Sequence, residues 1–224
     1  MKKLVFVFVS IVLIAGISTF TGCKKENTQP PTVTLIGDAV ITTPLNAPFT
    51  DPGATAIAED GTNLEVRVSC TPSFNNDVAG TYTFTYTATD ADGNTGQATR
   101  TVIVENQAKD FVGSYNATDD GISASWHYGW AETITASPTI NNRVFFSKFG
   151  FFTNCSPYID INAAHTSCVL PLQTFSCGEP AETRSFSATG TITQNPLVIT
   201  LNYTKVTGSP AVTTTGIGVF TLQE

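Results

Sequence analysis

The sequence predicts an all-β chain of two successive units, a β-sandwich followed by a closed antiparallel β-barrel. Three observations carry that expectation. Charged residues are only 13% of the 224, so the polar surface falls to Thr, Ser and Asn; with 17 Gly and 12 Pro, these favour strands and tight turns over helices. Between Ala79 and Glu105, Tyr82, Phe84 and Tyr86 recur at period two, with Thr81, Thr83, Thr85 and Thr87 on the opposite face. From Asp110 onward no helical period is sustained. About eight strand-length runs follow one another instead, bounded by Pro, Gly, Asn or Ser, and closure of such a series removes exposed edges.

The chain opens with MKKLVFVFVSIVLIAGISTFTGCKK: a charged start at Lys2 and Lys3, an apolar run from Leu4 to Ile17, and small residues leading into Cys23. That layout is a secretory signal peptide, and the apolar run is short for a transmembrane span. Thr21-Gly22-Cys23 after the apolar run resembles the lipobox of bacterial lipoproteins. The resemblance implies cleavage after residue 22 and acylation of Cys23 by palmitate-type chains. Each buried methylene contributes about 0.8 kcal/mol, so two or more chains hold a protein stably on a bilayer. Residues 23–31 are then lipidated cysteine and tether, with Pro30 and Pro31 stiffening the spacer. The expected location is the outer membrane, on its periplasmic face or at the cell surface.

Residues 32–105 read as the sandwich. Thr32 to Ile36 alternates before the Gly37-Asp38 turn, and Pro44, Pro48 and Asp51-Pro52-Gly53 punctuate an edge strand and loop. Leu64, Val66 and Val68 share one face of a further run, and Asp90 to Asn94 separates the hairpin strands, the second resuming at Thr99. The stretches PTVTLIGDAVITTPLNAPFTDPGATAIAEDG and AGTYTFTYTATDADGNTGQATRTVIV resemble the bacterial immunoglobulin-like domain first described in a pesticidal crystal toxin and common in Bacteroidetes surface lipoproteins. That likeness implies a spacer or adhesion module without catalytic residues. Asp90, Asp92 and Asn94 have the 1, 3, 5 spacing of a calcium loop, but Thr95 and Thr101 stand where Gly and Glu are needed; the same residues also suit a hairpin turn.

After a short linker, Gln107-Ala108-Lys109, residues 109–224 read as the barrel. Expected strands include Glu132 to Thr135, Arg143 to Phe152, Tyr158 to Asn162, Ser167 to Phe175, Ser185 to Ile192 and Leu197 to Tyr203, between FVGSYNATDDG and the closing Gly216 to Leu222. The F-x-G-x-Y opening and the TITAS-x-T-x-NNRV segment resemble a small lipocalin-type barrel. In Ser125-Trp126-His127-Tyr128-Gly129-Trp130, a strand puts Trp126, Tyr128 and Trp130 on one face. Such a row is a candidate glycan-stacking platform or a core layer of the barrel. Phe145, Phe146, Phe149, Phe151 and Phe152 read as core.

Beyond Cys23, the cysteines are Cys70, Cys155, Cys168 and Cys177; one local disulfide among the last three is expected, with Cys70 a buried free thiol. Thiol–His chemistry with His127 or His165 has no supporting spacing, no close metal-ligand pair occurs, and no cofactor fingerprint is present. Asp119 and Asp120, as strand neighbours, point to opposite faces and do not pair for glycoside hydrolysis. The net charge of −7 and the lack of a basic stripe argue against nucleic acid. The expected role is non-enzymatic binding or adhesion at the envelope, toward a glycan, small apolar ligand or protein. A purely structural lipoprotein with protein partners is the rival reading, and a hydrolase the third.

Overall fold

The computed structural model describes residues 27–120, 128–149, 152 and 154–223, with Tyr128 through its backbone alone. The N-terminal segment, including Cys23 and the signal-peptide reading, lies outside them, as do Trp126, His127 and Phe151.

Seven strands build the sandwich: β1 (Thr32–Leu35), β2 (Val40–Pro44), β3 (Ala54–Ile57), β4 (Asn63–Leu64), β5 (Arg67–Thr71), β6 (Gly80–Thr89) and β7 (Thr95–Glu105). One sheet has the order β1-β3-β4 and the other β2-β7-β6-β5. The alternation of β6 is realised as read: Tyr82, Phe84 and Tyr86 are buried, with Val102 opposite Tyr82 and Val104 in the same cluster on β7, and Phe49 and Phe74 closing the aromatic core. Two features differ from the sequence expectation. The sheets are not wholly antiparallel, because β2 pairs parallel with β7, from Val40 opposite Thr101 to Pro44 opposite Glu105. The run from Leu64 to Val68 is not one strand: β4 belongs to one sheet and β5 to the other, and Val68 on the edge strand β5 is left exposed.

The two sheets are tied by Arg100, which has no exposed surface. Its Nε donates to Asp38 O at 2.9 Å and its Nη2 to Ile36 O at 2.5 Å and Gly53 O at 3.3 Å. Nη1 meets the Asp51 carboxylate and the Tyr86 hydroxyl, and that hydroxyl donates to Asp51 at 2.6 Å. A buried guanidinium is tolerable only when its donors are filled and its charge is paired. The segment Asp51-Pro52-Gly53 supplies much of that.

Eight strands build the barrel: β8 (Gly113–Asp119), β9 (Tyr128–Ala136), β10 (Arg143–Phe146), β11 (Tyr158–Ile161), β12 (Ser167–Cys177), β13 (Glu182–Thr193), β14 (Val198–Thr207) and β15 (Val212–Leu222). Every strand pairs with its neighbours in sequence, and β15 closes on β8. The core is largely aromatic and aliphatic, with Tyr115, Phe146, Phe149, Phe186 and Phe220 buried. β12 carries a register shift between Leu170 and Gln173, where Pro171 has no N–H to give the ladder, and Leu172 is turned outward. Arg143 to Phe152 does not continue as one strand. Beyond Phe146 the Ser147 N–H still reaches Thr133 O at 2.9 Å while also donating to the buried Glu132 carboxylate at 2.7 Å, and the Lys148 N–H donates to the same carboxylate at 3.2 Å. Of the expected core phenylalanines, Phe146 and Phe149 are buried, whereas Phe145 is half-buried on the outer face against Tyr158.

The expected linker is a short 3-10 helix, Gln107–Phe111, that plugs one end of the barrel. Ala108 and Phe111, three apart, fall on one face and are buried, and Phe111 meets the His165 ring edge-on. Asn106 caps this turn and fastens the two units together. Its side-chain amide donates to Ser137 O at 2.8 Å and Ile140 O at 3.0 Å, while its side-chain oxygen accepts from the N–H groups of Ala108 and Asn142. The same β9–β10 turn receives Ala79 N–H on Pro138 O at 2.8 Å, and Asn46 bonds to Thr139 O and Asn141 N–H.

The molecule therefore has direction. Asn27, the first of the described residues, bonds to Asp90 and Asn94 at the far end of the β6–β7 hairpin. These strands of ten and eleven residues run roughly 35 Å to the joint at about 3.4 Å per residue. The β10–β11, β12–β13 and β14–β15 connections form the distal pole beyond the joint.

Candidate ligand site at the distal pole of the barrel

The inward faces of β13 and β14 end at this pole in charged residues. Phe186, Ala188 and Gly190 alternate inward along β13, and the same phase carries Arg184. Along β14, Leu201 and Tyr203 alternate inward, and the same phase carries Lys205, whose cross-strand partner is Phe186. Tyr203 lies across Gly216, its partner on β15, where a Cβ would collide with the ring. Its hydroxyl thereby reaches Asp119 and donates to the carboxylate, at 2.8 and 2.9 Å to the two oxygens. Burial first, and then the adjacent Asp119, raise the Tyr203 pKa well above the ordinary phenol value.

Arg184 is 9% exposed. Its Nη1 donates to Cys177 O, its Nη2 to Glu182 at 2.8 Å, and its Nε has no partner. Gly178, at φ +90°, makes the slot: a Cβ there would stand 2.6 Å from Nη1 and 3.2 Å from the Phe152 ring. The guanidinium carbon lies 4.3 Å, and the Lys205 ammonium 5.0 Å, from the centroid of that ring. The half-buried Lys205 makes no hydrogen bond or ion pair among the described residues. Desolvation lowers its pKa, Arg184 lowers it further, and Asp119 and Glu182 act the other way. The Cys155–Cys177 disulfide staples the β10–β11 connection to the end of β12, the strand that leads into this slot.

Trp130 points inward, half-buried, with its ring edge-on to Phe220 at 6.0 Å, and its Nε1 donates to Glu132 at 3.0 Å. Glu132, one of the most buried side chains, also accepts from the N–H of Thr133 and from the hydroxyl of Ser147. The other members of the aromatic row, Trp126 and the side chain of Tyr128, lie outside the described residues. Asp119 faces the interior and Asp120 is exposed. Cys168 is free and buried in the barrel core, and desolvation pushes its thiol up to about 12. Cys70 is half-buried rather than buried, because it lies on the edge strand β5; burial also raises its pKa.

At the acidic turn, the Asp90 carboxylate accepts from the N–H groups of Asp92 and Asn94 and from the Asn94 and Asn27 amides. Those donors, led by the Asn94 side chain, hold its pKa below the usual carboxylate range. The turn thus spends the Asp90 oxygens on hydrogen bonds within the chain. No group of three or more His, Cys, Asp or Glu is arranged to hold a metal among the described residues.

Residues 33–104 match the family described as bacterial surface protein, Ig-like domain. The match spans the sandwich almost from end to end. Among solved structures, the chain is similar to the lipoprotein BT2262 from Bacteroides thetaiotaomicron, at 18% identity and a TM-score of 0.34, over 84% of this chain and 98% of that one. No curated protein matches the chain.

Arg184 and Lys205 are the site residues that the sequence reading passed over. Their signal was present, since Arg184 lies two positions before the inward Phe186 and Lys205 two after the inward Tyr203, each in phase with its aromatic.

Proposed function

We propose that this chain is an outer-membrane lipoprotein that recognises a glycan. Acylated Cys23 and the tether hold it to the membrane, the Ig-like sandwich acts as a stalk, and the barrel presents the recognition surface. The observation that supports this reading is the direction of the molecule. Tether entry and barrel sit at opposite ends of the sandwich, and the jointed turn is fixed by Asn106 and Asn46 rather than left to a free linker. A stalk serves a recognition module whose working end faces away from the membrane, and the distal pole has that placement. The Bacterial surface protein, Ig-like domain match supports an envelope location for such a stalk. No step of bond making or breaking is part of the role.

The test has two arms. Cys23→Ala is expected to move the protein from the membrane fraction to the soluble fraction. Full-length protein in detergent, screened on an array of neutral and acidic glycans, is expected to bind a defined subset. A folded protein that binds nothing on the array would leave the stalk and remove the recognition role.

A further inference from the structure

We infer that the distal pole is an anion site, in which Lys205 and Arg184 receive the carboxylate of an acidic sugar; this rests on the glycan-recognition reading above. Four observations converge. First, the inward phase of β13 and β14 is apolar or small until their distal ends, where it delivers two cations side by side in a chain of net charge −7. Second, both cations are placed against one ring, Phe152, with Arg184 held in a slot that Gly178 leaves open.

Third, the nearby carboxylates already hold hydrogen bonds within the chain. Glu182 accepts from Arg184, and both oxygens of Asp119 take the Tyr203 hydroxyl. Fourth, donors remain over. Arg184 Nε is buried without a partner, and the half-buried Lys205 ammonium has none among the described residues. Unfilled charged donors in a partly dry site are costly, and an incoming carboxylate offsets that cost with charge-assisted hydrogen bonds. A stalk protein with only a packing role would be served better by an apolar residue at position 205, opposite Phe186. A carboxylate could also arrive on a fatty acid, so the test carries both sources.

Titration calorimetry on the full-length protein would compare an oligogalacturonate, a neutral galactan oligomer of equal length, and dodecanoate. The oligogalacturonate is expected to bind at least tenfold more tightly than the neutral oligomer. Lys205→Met, which keeps the stem packed on Phe152, is expected to remove that preference, and Lys205→Arg to restore it. Arg184 is itself part of the β12–β13 hairpin, so the Lys205 pair carries the test. Equal binding of neutral and acidic oligomers, or binding indifferent to Lys205→Met, would overturn the anion site and leave glycan recognition standing. Binding of dodecanoate alone, sensitive to Lys205→Met, keeps the anion site and overturns the sugar as its source. No binding of any probe overturns the anion site, and the array result then decides glycan recognition by itself.

Discussion

Each unit of this molecule buries an arginine, and the two are treated in opposite ways. Arg100 in the sandwich is filled on every nitrogen, by three backbone carbonyls, Asp51 and Tyr86. Arg184 in the barrel leaves Nε without a partner and has a second cation, Lys205, beside it. A filled buried charge is a fastener, because everything that satisfies it comes from the chain itself. An unfilled one marks a place where something other than the chain is expected. The difference separates the sandwich from the distal pole of the barrel by physical criteria alone.

The largest effect that this contrast predicts is on Arg100. Arg100→Met strands Asp51 in the sandwich and is expected to cost about 3–5 kcal/mol, seen as a lowered denaturant midpoint. The barrel's own fastener is its disulfide. Reducing Cys155–Cys177, or replacing both residues by serine, releases a staple of sequence separation 22 and is expected to cost about 3 kcal/mol. An unchanged midpoint in mild reductant would show that the staple contributes nothing to stability. Asn106→Ala removes the amide shared by both units, at about 1–3 kcal/mol, and should split a single unfolding transition into two.

Tyr86 gives the contrast a pH dependence. Burial, with the Asp51 bond next, raises its pKa from 10.0 to about 12. The folded state therefore holds its phenol proton longer than the unfolded state. The associated stability is complete below pH 10 and is lost as pH rises toward about 12. A urea midpoint that stays flat across that window would remove Tyr86 from the account. Lys205→Met carries the smallest effect: it deletes an unpartnered ammonium while keeping the stem, so the melting temperature should hold or rise slightly. A clear fall would make Lys205 a structural residue and blunt the comparison.

Much of the architecture was legible because strand periodicity is a local signal. The alternation of Tyr82, Phe84 and Tyr86, and the strand-length runs beyond Asp110, needed no knowledge of distant residues. What escaped depended on long-range partners. The parallel pairing of β2 with β7 accompanies a buried Arg100 whose acceptors lie about 50 to 60 residues upstream. The strand expected from Arg143 to Phe152 ends early beside Glu132, on the preceding strand, whose carboxylate takes the Lys148 N–H and shares that of Ser147 with Thr133 O. At the candidate site, the sequence offered aromatic residues, of which Trp130 turns inward toward Phe220. The cations were readable by phase, but that they share one ring was not, because Phe152 reaches them from a connection outside the ladder.

The barrel has an even number of strands in simple succession. Its first and last strands therefore begin and end at the joint, where Tyr115 pairs with Leu222, and the opposite pole is made of hairpin connections alone. A unit wired this way is a cassette. Its distal connections can lengthen, shorten or change composition without disturbing the attachment to the sandwich, because among the described residues no interdomain bond passes through them. One sandwich can thus carry barrels that differ at this pole, each change confined to the face farthest from the joint.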